Sequence, residues 1–435
     1  MLGINPAPRF NELRTLNRIH PDSLVLKNAT ILAGADLELI PKGFVEIRDS
    51  RISSLGQGSG GSSANALDCE GLIAIPGFID AHTHVGDSVA KEAGVGLPIA
   101  ELVSPSGGLK HKILASTSDA EFVSVMRESF TDMIRSGITT FADFREGGPH
   151  GVALLHEAAK GLPIRPVIFG RLAQTPFTSI ELASNSAPLP NSAIEEVREL
   201  LSSADGISSS TANDLTDHAL KQISDLAAGR SKLKAIHVAE TEQSAEKSKA
   251  RTGKSDVERV VSYFIPDFVV HMTNASNSDV ELVARNQIAV VCCPRANAIL
   301  GVGIPPLNRM ISGGLNVALG TDNVMLNQPD MFREMDYAAR MIRAVERDPS
   351  SPKCKEVLKM ATVNGARALK MDREIGSIEV GKVADIVLVD GRDLNLRRSR
   401  DIVSSLVLRA GVHNVRMVLA AGRVVYERTS SQNLS

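Results

Sequence analysis

Residues 77–88 read GFIDAHTHVGDS, directly after the apolar run LIAIP at 72–76. A segment suited to a buried strand therefore finishes on two imidazoles, His82 and His84, one residue apart. Alternate residues of a strand point to one side, so the pair can project together from the strand's C-terminal end. In a parallel α/β barrel that end carries the active site. Whether the chain builds such a barrel depends on what surrounds this stretch.

Downstream the pattern is strand then helix, repeatedly. AIPGFIDAHTH leads to SDAEFVSVMRESFTDMIRSG, GITTFADF to HGVALLHEAAKG, IRPVIFGRL to SAIEEVRELLSS, and GISSS to LTDHALKQISDLAAG. LKAIHVAE leads to SDVERVVSYF, DFVVHMTN to SDVELVARN, IAVVCCP to PPLNRMIS, and NVALGTD to MFREMDYAARMIRAVER. Eight such units are the number needed to close a (β/α)8 TIM-type barrel, expected over about residues 75–370. Ser118 and Ser278 offer capping groups and Gly137 and Gly313 stop signals at helix ends. On either side, segments 21–74 and 371–435 are rich in β-branched residues punctuated by Gly, Asn and Asp, and are expected to pair into one split β-sandwich. Residues 1–20 form an N-terminal extension, and GQGSGGSS at 56–63 a flexible loop. The expected class is thus α/β, a barrel beside a split sandwich.

Composition narrows the partners. The 435-residue chain carries 48 basic and 50 acidic side chains, a formal charge of −2, with aromatics at 3% and no Trp. Neither an electrostatic attraction to nucleic acid or anionic membrane nor a stacking platform for single strands follows from this. A small-molecule partner fits. The four cysteines, Cys69, Cys292, Cys293 and Cys354, form no CxxC pair or disulfide framework, and no apolar leader or spanning segment is legible, so a cytoplasmic location is expected. Cys292 and Cys293 are adjacent on a strand and face opposite ways, which reads as two buried small hydrophobes.

Later strands supply more metal-type groups at matching positions. His237 closes LKAIHVAE, His271 closes DFVVHMTN and Asp322 closes NVALGTDN. Strand tips around a ring face a shared centre, so side chains far apart in sequence can converge. Imidazole nitrogen and carboxylate oxygen suit a divalent zinc or iron(II) ion. Glu240, three residues after His237, can carry protons at the edge of a closed pocket, or alternatively can stabilise the N-terminus of the helical ETEQSAEKSKA. Arg145, Arg171, Lys110 and His111 lie in segments just past strands one to three, where loops line the pocket. They are candidate substrate contacts, and the arginines could clamp an anionic group.

PGFIDAHTH, HVAE, the strand-six His271, CCPRANAILGVGIPPLNRMISGGLNVALGTDN and the late IGSIEVGKVADIVLVD together resemble the amidohydrolase superfamily, in its cytosine-deaminase-like and triazine-hydrolase-like branch. The resemblance runs from about residue 23 to 427. It implies that His82, His84, His237 and Asp322 bind one divalent metal per chain, that His271 holds water or substrate beside it, and that Glu240 shuttles protons. It further implies a homo-oligomeric hydrolase that deaminates a small amino-substituted N-heterocycle with water activated at the metal, Asp322 accepting the proton and ammonia leaving. The same chemistry could open a cyclic amide or displace halide, and relatives that lost ligands serve as noncatalytic assembly proteins. Strands three and four hold no lysine to bridge a second metal. Ala296 and the GTDN tetrapeptide depart from the branch pattern at substrate-contacting points. The HxE with PCxxC signature of cysteine-ligated nucleic-acid deaminases is absent.

Overall fold

The structure is a computed structural model that describes residues 23–58, 60, 65–103 and 107–428. The N-terminal extension expected over 1–20 lies outside the described residues, as does part of the loop at 56–63.

The first segment forms β1 (Ser23–Ala33), β2 (Glu38–Arg48), β3 (Arg51–Gln57), β4 (Ala66–Asp68) and β5 (Leu72–Pro76). Barrel strands follow: β6 (Phe78–His84), β7 (Ile138–Arg145), β8 (Arg165–Gly170), β9 (Gly206–Ser209), β10 (Leu233–Val238), β11 (Phe268–His271), β12 (Ala289–Cys292), β13 (Val317–Leu319) and β14 (Asp322–Asn323). The chain then returns to the first sheet as β15 (Ile386–Asp390), β16 (Val415–Ala420) and β17 (Arg423–Glu427).

All pairings in the second sheet are parallel, in the order β13-β12-β11-β10-β9-β8-β7-β6-β14. β13 and β14 are two halves of one strand interrupted at Gly320 and Thr321. Because β13 pairs with β12 and β14 with β6, this broken eighth strand closes the ring. Gly320 is required there: a Cβ would stand 2.8 Å from the Cβ and carbonyl oxygen of His82.

Residue alternation explains the layers. In β7, Ala142 and Phe144 face a barrel interior shared with Ala81, Phe169, Ala235, Phe268, Val270, Val291 and Ala318, while Phe141 packs into the core around the helices. The surrounding helices use the expected signals at Ser118 but not at Ser278: the helix Asn277–Arg285 is capped two residues earlier by Ser276, whose hydroxyl accepts the Asp279 N–H, because Asp279 can bond back to Ser276 in a capping box. In α1 (Leu109–Ser116) Lys110 is the one buried position. In α2 (Asp119–Arg135) the Ser118 hydroxyl accepts the Glu121 N–H, acids occupy the first turn and Arg135 the last, in keeping with the helix dipole. The chain leaves α2 through Gly137 at φ +91°, against Phe78 and Val387, where a side chain would be strained and crowded.

The two ends meet in one eight-stranded sheet, β17-β16-β15-β5-β1-β2-β3 with β4 beside β1. The joint is β5 against β15, antiparallel from Ile73↔Val389 to Pro76↔Ile386. Leu24, Leu26, Ile31, Val45, Ile47, Ala74, Ile386, Leu388 and Leu419 form its buried face. Since β5 runs through Gly77 into β6, this sheet is fastened directly to the strand that carries His82 and His84. Among the described residues no helix is long and apolar enough to cross a membrane.

Candidate metal centre

Between Asp80 and Thr83, β6 slips register against β7: Asp80 pairs Phe141 but Thr83 pairs Asp143, so three steps on one strand match two on the other. Such a bulge re-aims side chains. Below it Ile79 and Ala81 fill the barrel interior, and above it His82 and His84 turn into the same space, their rings edge to face at 4.9 Å. Phe144 lies under them, 4.4 Å from the His82 ring.

The predicted ligands converge. His82, His84 and His237 each offer a nitrogen within 4.8 Å of the others, and nitrogens of His82 and His271 lie equally close to each other and to a carboxylate oxygen of Asp322. His82 Nε2 stands 3.3 Å from His237 Nε2 and 3.4 Å from Asp322 Oδ1, and His84 Nε2 stands 3.6 Å from the same oxygen. Ligand atoms about 2.1 Å from a tetrahedral zinc lie about 3.4 Å apart, so these separations fit one ion at their centre. All five groups are buried.

Electrostatics agree with the geometry. Burial drives the His82, His84 and His237 titrations down, that of His84 to about 3, so the imidazoles are neutral and have lone pairs to give. Burial works against ionisation of Asp322, yet the His82 hydrogen bond and the surrounding imidazoles hold its carboxyl well below the usual range. Neighbours select tautomers. His237 Nδ1 faces Ser209 O at 3.2 Å. Asn297 donates its Nδ2 to Thr273 Oγ1, leaving its Oδ1 to accept the His271 Nδ1 proton at 3.0 Å. In both rings Nε2 is then free to bind.

Two groups of the cluster, His271 and Asp322, sit on strained backbone. His271 has φ +75° and Asp322 φ +62°, a left-handed region costly for residues with side chains and concentrated at functional sites. Asp322 is held there by its neighbour: Asp80 accepts both the N–H and the hydroxyl of Thr321, at 2.9 and 2.6 Å. Glu240 faces the same space from the opposite side, its Oε1 3.7 Å from His271 Nε2 and its side chain 22% exposed. Burial raises its carboxyl, which favours a proton carrier, with the His271 side acting in opposition.

Of the four candidate substrate contacts, two are engaged inside the protein. Lys110 Nζ lies 2.8 Å from Glu146 and 3.1 Å from Asp87, while Arg145 lies 2.5 Å from Glu146 and 3.5 Å from Asp143. Arg171 and His111, with Arg145, Glu146, Leu172 and Phe177, line a cavity of 770 Å³ beyond the tips of β7–β9. Arg171 also donates to Ser210. Sequence reasoning missed Glu146, whose Oε1 is 3.0 Å from His84 Nδ1. The only available signal was its place beside Arg145, and nothing in the letters FREGG says which of the two faces the metal. Asn297 and Asp80 were likewise illegible, since their partners lie 26 and 241 residues away. Cys292 and Cys293 are buried and free, and burial pushes both thiols up, to about 12 for Cys292.

Known proteins agree with this architecture. Residues 73–425 match the model of the Amidohydrolase family. A protein of Methanothermobacter thermautotrophicus named putative aminohydrolase is 37% identical over 92% of this chain and 99% of its own. A 5-methylthioadenosine/S-adenosylhomocysteine deaminase of Thermoanaerobacter pseudethanolicus is 30% identical over 93% of this chain and 94% of its own. Among solved structures, a zinc-bound adenosine deaminase from Xanthomonas campestris superposes with a TM-score of 0.81 at 23% identity, covering 92% of each chain, and so shares the fold. With a match over most of its length and every expected ligand in one cluster, the chain belongs to the amidohydrolase family.

Proposed function

We infer that this protein is a metal-dependent hydrolase that removes an amino group from an N-heterocycle, releasing ammonia, and that the heterocycle is an adenine nucleoside altered at its 5′ position. One observation carries the reaction: three neutral imidazoles and an ionised carboxylate meet at spacings that fit a single ion, with a protonatable glutamate across the same space. The relatives named as deaminases of 5-methylthioadenosine, S-adenosylhomocysteine and 5′-deoxyadenosine support the substrate class.

His82, His84, His237 and Asp322 would hold one divalent ion, zinc in the first instance with iron(II) as the alternative. Such an ion lowers the pKa of a bound water from about 16 to about 7 and so makes a nucleophile available at neutral pH. Asp322, ionised and buried, accepts the water's proton. Glu240, whose raised titration keeps a proton within reach, donates to the ring nitrogen beside the attacked carbon, so that negative charge does not build there. His271, its Nε2 turned inward by Asn297, orients the incoming water or the exocyclic amine. Asp322 then passes the water's proton to the departing amine, which leaves as ammonia, and Glu240 takes up the proton of the new hydroxyl as it becomes the carbonyl, so both carboxyls return to their starting states. Arg171 and His111 would meet the sugar or its 5′ substituent in the adjoining cavity, an anionic substituent pairing with Arg171. The four free buried cysteines support a cytoplasmic location, and we take the working unit to be a homo-oligomer.

Metal analysis of the purified protein, combined with ammonia release from a panel of 5′-substituted adenosines, guanine, pterins and triazines, tests this reading. About one metal per chain and ammonia from the adenosines are expected. Metal-free preparations that still deaminate, or halide rather than ammonia released from chlorotriazines alone, would refute it.

A further inference from the structure

We propose that Glu146 is a positioning residue for His84: its Oε1 accepts the His84 Nδ1 proton and so turns the Nε2 lone pair to the metal, while Lys110 and Arg145 serve to keep that carboxylate charged. The proposal rests on the metal reading of the site.

The histidines differ in what stands behind them. His237 Nδ1 has a backbone carbonyl, Ser209 O, and His271 has an amide oxygen. His82 Nδ1 is buried with no hydrogen-bond partner. His84 alone among them has a carboxylate, at 3.0 Å, together with Phe144 O at 3.1 Å. A charged acceptor forms the stronger hydrogen bond and raises the basicity of the ring, hence its strength as a ligand.

Keeping a buried carboxylate ionised needs compensation. Glu146 has it on every side: Lys110 Nζ at 2.8 Å, Arg145 Nη2 at 2.5 Å and Arg171 Nη1 at 3.5 Å. The cations are in turn balanced by Asp87 beside Lys110 and Asp143 beside Arg145. With Glu146, Asp87 and Asp143 set against Lys110 and Arg145, these two cations have no surplus charge to offer a ligand. Lys110 and Arg145, each 3% exposed, therefore act through Glu146 and not on a substrate. Glu146 comes from the turn after β7, Lys110 from α1 in the long β6–β7 connection, and His84 from β6, so the hydrogen bond also ties that connection to the metal centre.

The test is Zn²⁺ affinity, measured by chelator competition on the full-length protein, with the thermal transition of the metal-free form recorded alongside. Glu146→Gln keeps the shape and loses the charge. It should weaken Zn²⁺ binding by about 10–100-fold, as removal of such supporting carboxylates does. The double variant Glu146→Gln/Lys110→Met restores the charge count and guards against misfolding of the single variant, and its affinity should stay low. Affinity within threefold of the unaltered protein in either variant would overturn the proposal, since Phe144 O would then suffice or Glu146 would act only through charge balance. His84→Ala separates the two levels. If unaltered protein and His84→Ala bind zinc equally, the metal reading itself fails and the role of Glu146 with it.

Discussion

Individual side chains here are defined by what burial does to their charge. Glu240 is the plainest case: its Oε1 stands 3.7 Å from His271 Nε2, and burial raises its carboxyl. Glu240→Gln should lower kcat by about 10²–10⁴-fold with metal content unchanged, which separates proton transfer from ion binding. Glu334 tests burial without catalysis. It lies in the helix Met331–Glu346, fully buried, accepting the Arg295 N–H, and burial pushes its carboxyl up to about 8. A group that stays protonated in the folded state but ionises from about pH 4.5 when unfolded supports stability at low pH and withdraws it as pH rises toward 8. The melting temperature should therefore fall between pH 5 and 8 more steeply in the unaltered protein than in Glu334→Gln. The difference amounts to about 2–4 kcal/mol at pH 8.

At the scale of elements, the site depends on two departures from regular strand geometry, the bulge in β6 and the break between β13 and β14. Neither is a defect of packing. The bulge turns His82 and His84 inward, and the break lets Asp322 reach the centre with a left-handed backbone that Asp80 and Thr321 clamp. Gly320→Ala should drive a methyl against His82, costing about 1–3 kcal/mol of stability and weakening metal binding together, measured by denaturant titration and chelator competition. Ser118→Ala offers a contrast. Loss of the α2 cap should cost about 1 kcal/mol and leave metal affinity unchanged, because the Ser118 hydroxyl serves the Glu121 N–H of its own helix.

For the whole molecule, the ends of the chain are part of the barrel's support and not an appendage to it. β15 supplies the neighbour of β5 along five paired residues, and β5 continues into the strand bearing the first two ligands. A chain ending at residue 370 loses β15–β17 and exposes Ile73 and Ile75 along an unpaired edge. It should be insoluble or molten when expressed alone, and recover metal binding when residues 371–435 are supplied as a separate chain. Gel filtration and zinc affinity would show this.

The strand–helix alternation, the β-rich ends and the Ser118 cap could be read from the letters, as could the convergence of His82, His84, His237, His271 and Asp322 at one point. Each is a local signal: apolar runs declare strands, periodicity declares helices, and a polar residue closing an apolar strand declares a tip. Strand tips in a closed ring must face one another, so local signals sufficed to bring these side chains to one cluster. What tertiary structure alone decided is which charges meet. Lys110, Arg145 and Arg171 read in sequence as candidate substrate contacts, with salt bridges as the alternative for the arginines, and the fold hands Lys110 and Arg145 to Glu146, Asp87 and Asp143. The bulge, the Asp80–Thr321 clamp and the Asn297–His271 pair belong to the same class. All depend on side chains brought together across tens to hundreds of residues, and the energy of a buried charge is set by its neighbours in space, which no periodicity along the chain encodes.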